Sequence, residues 1–135
     1  MGTRSVIGYM SRIGTGRAVY CHFDGYPEHT GYTLLNYYND EQAAKDLVDA
    51  GPMSGVDSDP SLINHYEDNF PEPTVLTSEK PFFDVDWNDK HGAEWAYVFT
   101  PDGWFGKATS RYSEEDTEVT PLYRLVAKYL REDES

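Results

Sequence analysis

Two stretches near the beginning of the chain, residues 4–12 and 17–23, are rich in Val, Ile, Tyr and Phe and alternate in part between apolar and polar positions. The Gly-Thr-Gly at residues 14–16 separates them. A short glycine-bearing gap between two such runs predicts a β-hairpin. The DGYP that follows, residues 24–27, ends the second predicted strand, because Gly and Pro interrupt extended structure.

The pattern predicts further strands in the second half of the chain. Residues 94–99 and 104–108 are apolar, aromatic runs that indicate a second hairpin. Between them, Pro101 suits the first central position of a type I turn, and Gly103 suits the left-handed residue that follows it. The hexapeptide FFDVDW, residues 82–87, alternates between apolar and acidic residues, which predicts a half-buried strand with an acidic outer face.

Three segments indicate helices. Residues 30–38 are apolar and aromatic, and Asn39 follows them as the predicted N-cap of a second helix, which the Gly-Pro at residues 51–52 ends. A C-terminal amphipathic helix is expected to begin at the Thr-Pro of residues 120–121. Its apolar stripe consists of Leu122, Leu125, Val126, Tyr129 and Leu130.

The order of these elements predicts the fold class. Hairpin, helices, a long packed loop at residues 53–73, strands and a helix follow one another without regular βα alternation. This order favours an α+β fold, with an antiparallel sheet built from two hairpins and helices packed on one face. The 135 residues suit a single domain, residues 1–135. No apolar run reaches the length of a signal peptide or of a membrane span, and a lone cysteine fits a reducing compartment, so we expect a cytoplasmic protein.

The charge is strongly negative and unevenly distributed. Asp and Glu number 24 against 11 Lys and Arg, which gives a formal net charge of −13. Residues 24–102 hold 17 acids and three lysines, whereas residues 1–23 hold three arginines and no acid. Direct binding to nucleic-acid phosphates or to anionic membranes is therefore not expected. A protein with a basic surface is the expected partner, since complementary fields steer association.

Aromatic residues accompany these acids. The chain has 11 Tyr and three Trp, which is more than a small core needs, and exposed aromatic side chains beside carboxylates are typical of protein interfaces. The residues predicted to contact a partner are Asp57, Asp59, Glu67, Asp68, Asp84, Asp86, Trp87 and Asp89.

The octapeptide YCHFDGYP, residues 20–27, concentrates reactive residue types. Cys21 and His22 are adjacent on a predicted strand, so their side chains point to opposite faces and His22 is a poor base for the thiol. We therefore predict no catalytic residue. Asp24 precedes a glycine in a turn, where it is expected to bond its own backbone.

The histidines and acids carry no recognisable cofactor signature. The metal-ligating residue types nearest to such a signature are His22, Asp24, His29, His65 and His91, which lack paired ligand spacing. The run DVDWND, residues 84–89, lacks the Gly and Glu of a calcium loop. Neither a metal nor a cofactor is predicted.

Three functional hypotheses compete, of which the third is a structural role through self-association. In the first, the chain acts by binding a host protein. The second is a small-ligand-binding protein or an enzyme, whose pocket is built around Tyr20, His22, Asp24 and Tyr26, with the DGYP turn positioning polar groups at the end of the sheet.

The first 55 residues resemble a group of small bacteriophage and prophage proteins. The resemblance depends on Thr3-Arg4-Ser5, on YCHFDGYP and on the Gly31-x-x-Leu34-Leu35 segment. The group carries Trp where this chain has Phe23. The resemblance implies a phage-type accessory protein in the host cytoplasm, and it assigns no catalytic residue. In its sharpest form, the first hypothesis is a DNA-mimic-like inhibitor of a host defence or nucleic-acid-binding factor.

Overall fold

The computed structural model describes residues 3–68, 71–109 and 117–134. Six strands and four α-helices occur within these ranges. The strands are β1 (Ser5–Met10), β2 (Gly16–Cys21), β3 (Thr74–Leu76), β4 (Trp95–Thr100), β5 (Gly103–Ala108) and β6 (Thr120–Pro121). The helices are α1 (Tyr32–Tyr37), α2 (Glu41–Asp49), α3 (Trp87–His91) and α4 (Leu122–Glu134). None of the helices in the described ranges is long and apolar enough to cross a membrane.

The strands form one sheet in the order β3-β2-β1-β4-β5-β6. Both predicted hairpins are confirmed: β1 pairs antiparallel with β2, and β4 pairs antiparallel with β5. A parallel pairing of β1 with β4, in which Ser5 faces Trp95, joins the two hairpins. The sheet is therefore mostly antiparallel, and the predicted α+β class is confirmed.

The turn of the second hairpin has the predicted backbone. Gly103 has φ of 104°, which is the left-handed conformation that a side chain disfavours. Pro101 and Asp102 are exposed in the turn before it. The local turn chemistry therefore favours this hairpin.

One face of the sheet packs against α1, α2 and α4, and this is the larger core. Each fully buried aliphatic or aromatic side chain here stabilises the fold by about 1.5–3 kcal/mol. Its buried members include Ile7, Val19, Cys21, Leu34, Leu47, Trp95, Tyr97, Leu122, Leu125 and Val126. The apolar stripe predicted for α4 faces this core, with Tyr129 and Leu130 partly buried at its edge.

The other face of the sheet is covered by the segment that leads from β3 to β4. Phe82 and Trp87 pack there against Val6, Ala18 and Val98. Gly8 permits this contact, because a Cβ at that position would lie 2.6 Å from Cε2 of Phe82. The sheet is thus a middle layer with a core on each side.

The prediction of a strand at residues 82–87 is wrong. Residues Phe82–Asp84 form a 3₁₀ turn, and α3 begins at Trp87. The carboxylate of Asp86 accepts a hydrogen bond from the backbone N–H of Asp89, so this acid caps a helix instead of lining a strand. The alternation of apolar and acidic residues arises from the packing of single side chains onto the sheet.

Two predicted helix starts also differ. Asp40, and not Asn39, caps α2, since its carboxylate accepts a hydrogen bond of 2.8 Å from the N–H of Ala43. Thr120 and Pro121 pair with β5 as a short strand, and α4 begins one residue later, at Leu122. In both cases, the helix begins one or two residues after the predicted position.

Candidate functional site

The DGYP turn is a scaffold held by buried hydrogen bonds. The hydroxyl of Tyr97 donates to the carbonyl of Gly25 at 2.6 Å, and the hydroxyl of Thr30 donates to the carbonyl of Asp24 at 2.6 Å. Gly25 lies so close to β1 that a Cβ would approach Cβ of Ser5 to 2.7 Å. Asp24 takes a left-handed backbone, with φ of 57°, to make this turn. The motif thus fixes the end of β2 against the sheet.

The four residues of the predicted pocket separate into two pairs. The hydroxyl of Tyr20 and Nδ1 of His22 lie 2.5 Å apart and share a hydrogen bond. Tyr26 donates a longer bond, of 3.4 Å, to the carboxylate of Asp24. Of these four side chains, Tyr20 alone lines the cleft described below.

Tyr20 lies at the bottom of an open cleft of about 540 Å³ on the face of the sheet opposite α1, α2 and α4. One wall comes from the segment that leads into β3, and the other comes from the end of α3. We call this space the Tyr20 cleft. Its lining residues are Tyr20, Pro71, Glu72, Pro73, Thr74, Lys90 and His91.

Aromatic rings form the inner wall of the Tyr20 cleft. The ring of His91 lies 5.7 Å from that of Tyr20 and stacks on Trp87 with an interplanar angle of 7°. The indole N–H of Trp87 donates to the carbonyl of Phe82, which fixes the ring beneath His91. Pro71 and Pro73 add rigid apolar surface opposite.

Two cationic side chains, Lys90 and Arg4, lie near this wall. Lys90 and His91 line the cleft, and Arg4 lies beside Tyr20, with its Nη1 against Gly92. Burial raises the pKa of Tyr20, although the Arg4 guanidinium acts in the opposite direction. Burial, and then the charge of Lys90, lowers the pKa of His91. Tyr20 therefore keeps its proton at neutral pH, and His91 is mainly neutral there.

The site can bind an anion and can move a proton. Arg4 and Lys90 supply positive charge, while the Tyr20–His22 pair offers a hydroxyl and an imidazole in direct contact. Thr74 adds a hydroxyl oxygen that is buried without a hydrogen-bond partner among the described residues. A bound ligand could satisfy that oxygen, since buried polar atoms are rarely left unpaired.

The cysteine of YCHFDGYP takes no part in the Tyr20 cleft. Cys21 faces the helix side of the sheet and is fully buried, and this burial raises the pKa of its thiol to about 11. A buried thiol that stays protonated at neutral pH is a core residue and not a nucleophile. Within the described ranges, no three His, Cys, Asp or Glu side chains come close enough to hold a metal ion.

Several acids predicted to contact a partner also have local roles. Asp57 accepts a hydrogen bond from the N–H of Asp59, and Asp59 accepts from the N–H and the hydroxyl of Ser61. Trp87 is 1% exposed and stacked under His91, so its ring is not available to a partner. The remaining predicted acids are exposed: Glu67, Asp68, Asp84 and Asp89.

The acids do not all lie on one face. Helix α2 packs on the helix side of the sheet, and its outward carboxylates lie there. Asp84, Asp86 and Asp89 belong to the segment that covers the opposite side. The negative charge of residues 24–102 is therefore divided between two surfaces.

Of the residues at the cleft, Tyr20 was predicted as a ligand-binding residue and His91 was named only as a metal-ligating residue type; the others were missed. Arg4, Thr74 and the Lys90–His91 pair come from three separate segments that only the packing of the sheet brings together. The one usable signal was His91, a histidine beside a lysine in an acidic chain. The spacing of these residues along the sequence does not show that they lie close to Tyr20.

Comparisons with protein-family models, with curated proteins and with solved structures gave no match to this chain. The resemblance to phage proteins therefore stays a prediction. The functional argument has to come from the geometry of the Tyr20 cleft and from the distribution of charge.

Proposed function

We propose that this protein binds a small anionic ligand in the Tyr20 cleft. The observation that carries the proposal is the position of two cationic side chains, Arg4 and Lys90, at one aromatic-walled cleft in a chain of net charge −13. In such a chain, cations placed together on one concave surface favour a negatively charged ligand.

The walls of the cleft support a ligand of moderate size. A volume of about 540 Å³ lies in the usual range of small-molecule sites, roughly 300–1,000 Å³. Arg4 directly precedes β1, and Lys90 lies within α3. The fold thus places their backbones near the cleft before a ligand arrives, which lowers the ordering cost of binding.

Calorimetric titration with phosphate, citrate and benzoate at low ionic strength tests the proposal. We expect at least one of these anions to bind, and the Arg4→Gln and Lys90→Gln variants each to weaken that binding about tenfold, because each removes a charge-assisted hydrogen bond. Arg12→Gln and Lys80→Gln are matched controls, since neither residue lines the cleft or acts on Tyr20. Equal losses in the controls, or no binding of any anion, would refute the proposal.

A second candidate function is the binding of a partner protein with a basic surface, as the sequence predicts. It is favoured by the outer face of α2 and its cap, which carries the exposed acids Asp40, Glu41, Asp46 and Asp49. Lys45 is the single cation on this helix, and it pairs with Asp49 at 2.8 Å, the one salt bridge found among the described residues. Asp40, Glu41 and Asp46 accept hydrogen bonds from neutral groups of this protein, so their negative charge still attracts an external cation.

Affinity capture from a bacterial lysate at low and high salt tests this second candidate. Under it, a partner is captured at low salt and lost at high salt, because charges beyond the Debye length are screened. The Glu41→Gln/Asp46→Asn variant should lose the partner, and Asp84→Asn/Asp89→Asn, on the opposite side of the sheet, should keep it. Capture that is indifferent to both salt and the α2 variant would contradict this function.

A further inference from the structure

We infer that the ligand of the Tyr20 cleft is a nucleoside monophosphate, that is, a planar base and a sugar joined to a phosphate dianion. This inference rests on the proposed anion-binding function and narrows it to one chemical class. It depends on three features of the cleft: Lys90 in its lining with Arg4 nearby, its aromatic and proline side chains, and the carboxylate of Glu72.

The cations suit a phosphate. Lys90 lines the cleft, and the Arg4 guanidinium lies beside the Tyr20 hydroxyl. An Arg fork and a Lys ammonium together are a common arrangement for a doubly charged phosphate, which accepts several hydrogen bonds at once. The His91 imidazole, which lines the cleft, adds an N–H donor.

The walls suit a planar ring. The His91 imidazole stacks on Trp87 at 6.1 Å and approaches Tyr20 at 5.7 Å, so the inner wall is a rigid aromatic layer. Pro71 and Pro73 form the facing surface. A base can stack on such surfaces whatever its identity, because every base has a π-face.

The cleft also holds acceptors that a bare phosphate would not need. Glu72 lines it as its one carboxylate, and the Thr74 hydroxyl oxygen is buried without a partner among the described residues. Sugar hydroxyls and exocyclic amines donate hydrogen bonds that a carboxylate accepts. A carboxylate next to a phosphate would repel it, so Glu72 is expected to face the neutral part of the ligand.

Titrations with AMP, adenosine, inorganic phosphate and benzoate test the inference. We expect AMP to bind at least about tenfold more tightly than either adenosine or inorganic phosphate, since the two halves contribute together. Lys90→Gln should weaken the binding of AMP and of phosphate and leave the binding of adenosine unchanged. Glu72→Gln should weaken the binding of AMP and of adenosine, and it should not weaken the binding of phosphate. Lys80→Gln and Glu79→Gln are the charge-matched controls.

The outcomes separate this inference from the function on which it rests. If AMP binds no more tightly than phosphate, or if benzoate binds best, the nucleotide assignment is overturned while anion binding stands. If AMP binds no more tightly than adenosine and Lys90→Gln changes nothing, the cations take no part, and both proposals are overturned. If none of the four probes binds, both are likewise refuted.

Discussion

The hydroxyl of Tyr97 donates a hydrogen bond of 2.6 Å to the backbone carbonyl of Gly25, across 72 residues of sequence. Tyr97 lies in the centre of β4 and is fully buried, whereas Gly25 belongs to the DGYP turn. The bond therefore fastens the turn to the middle of the sheet. Burial raises the pKa of Tyr97 well above its usual value, so the hydroxyl stays protonated and keeps donating.

Removal of the Tyr97 hydroxyl is expected to destabilise the protein. In Tyr97→Phe the buried carbonyl of Gly25 loses its donor, which costs about 1–3 kcal/mol of the free energy of unfolding. Urea denaturation followed by circular dichroism measures this loss. The matched control is Tyr37→Phe, because Tyr37 is 54% exposed, and its free energy of unfolding should change by less than about 0.5 kcal/mol. Similar values for both variants would contradict the role given to Tyr97.

Gly8 is expected to tolerate no side chain. A Cβ there would lie 2.6 Å and 2.7 Å from two ring carbons of Phe82, so Gly8→Ala should lower the free energy of unfolding by about 1–3 kcal/mol. Gly55→Ala is the control, since its added Cβ would meet only a carbonyl oxygen at 3.8 Å. In a double-mutant cycle, Phe82→Leu should cost less in the Gly8→Ala background. Additive losses would show that the clash is not the cause.

The cap of α2 offers a direct comparison between neighbouring residues. Asp40→Ala removes the acceptor for the N–H of Ala43 and should cost about 1 kcal/mol of stability. Asn39→Ala removes the residue that the sequence favoured as the cap, and it should cost less than about 0.5 kcal/mol. Thermal or urea denaturation of the two variants decides between them. A larger loss for Asn39→Ala would mean that the helix begins one residue earlier.

Cys21 is expected to make the protein less stable at alkaline pH. Burial raises the pKa of its thiol from 9.0 to about 11, so the unfolded state loses this proton first as the pH rises. The contribution to the free energy of unfolding is therefore complete below pH 9 and is lost as the pH rises through about 11. Urea denaturation at several pH values between roughly 8 and 11 measures how steeply the free energy of unfolding falls as the pH rises. This slope should be smaller in Cys21→Ala than in the wild-type protein.

Thiol labelling provides an independent check on Cys21. At about pH 8, a thiol reagent should react slowly with the native protein and rapidly with the protein in denaturant. The thiolate is the reactive form, and the buried thiol stays protonated. Burial also raises the pKa of Tyr38 to about 12, so Tyr38 contributes to the loss of stability at alkaline pH in the wild-type protein and in Cys21→Ala alike. This contribution cancels when the slopes of the two proteins are compared. Fast labelling of the native protein would contradict the burial of Cys21.

Local features of the sequence determined much of the fold. Runs of β-branched and aromatic residues, the Gly-Thr-Gly gap and the Pro-Asp-Gly turn predicted both hairpins, since strand preference and turn chemistry depend on residues close together in sequence. The same local rule placed Cys21 and His22 on opposite faces, which ruled out a catalytic pair. The apolar spacing of α4 predicted which side of that helix is buried.

Only the tertiary structure decided how these pieces meet. The parallel pairing of β1 with β4, and the packing of residues 82–87 over the sheet instead of within it, depend on contacts between distant segments that no local pattern encodes. The Tyr20 cleft has the same origin, because Arg4 and Lys90 are separated by most of the chain. Net charge is a sum over the sequence, but its division between two faces and the gathering of cations at one cleft follow from packing.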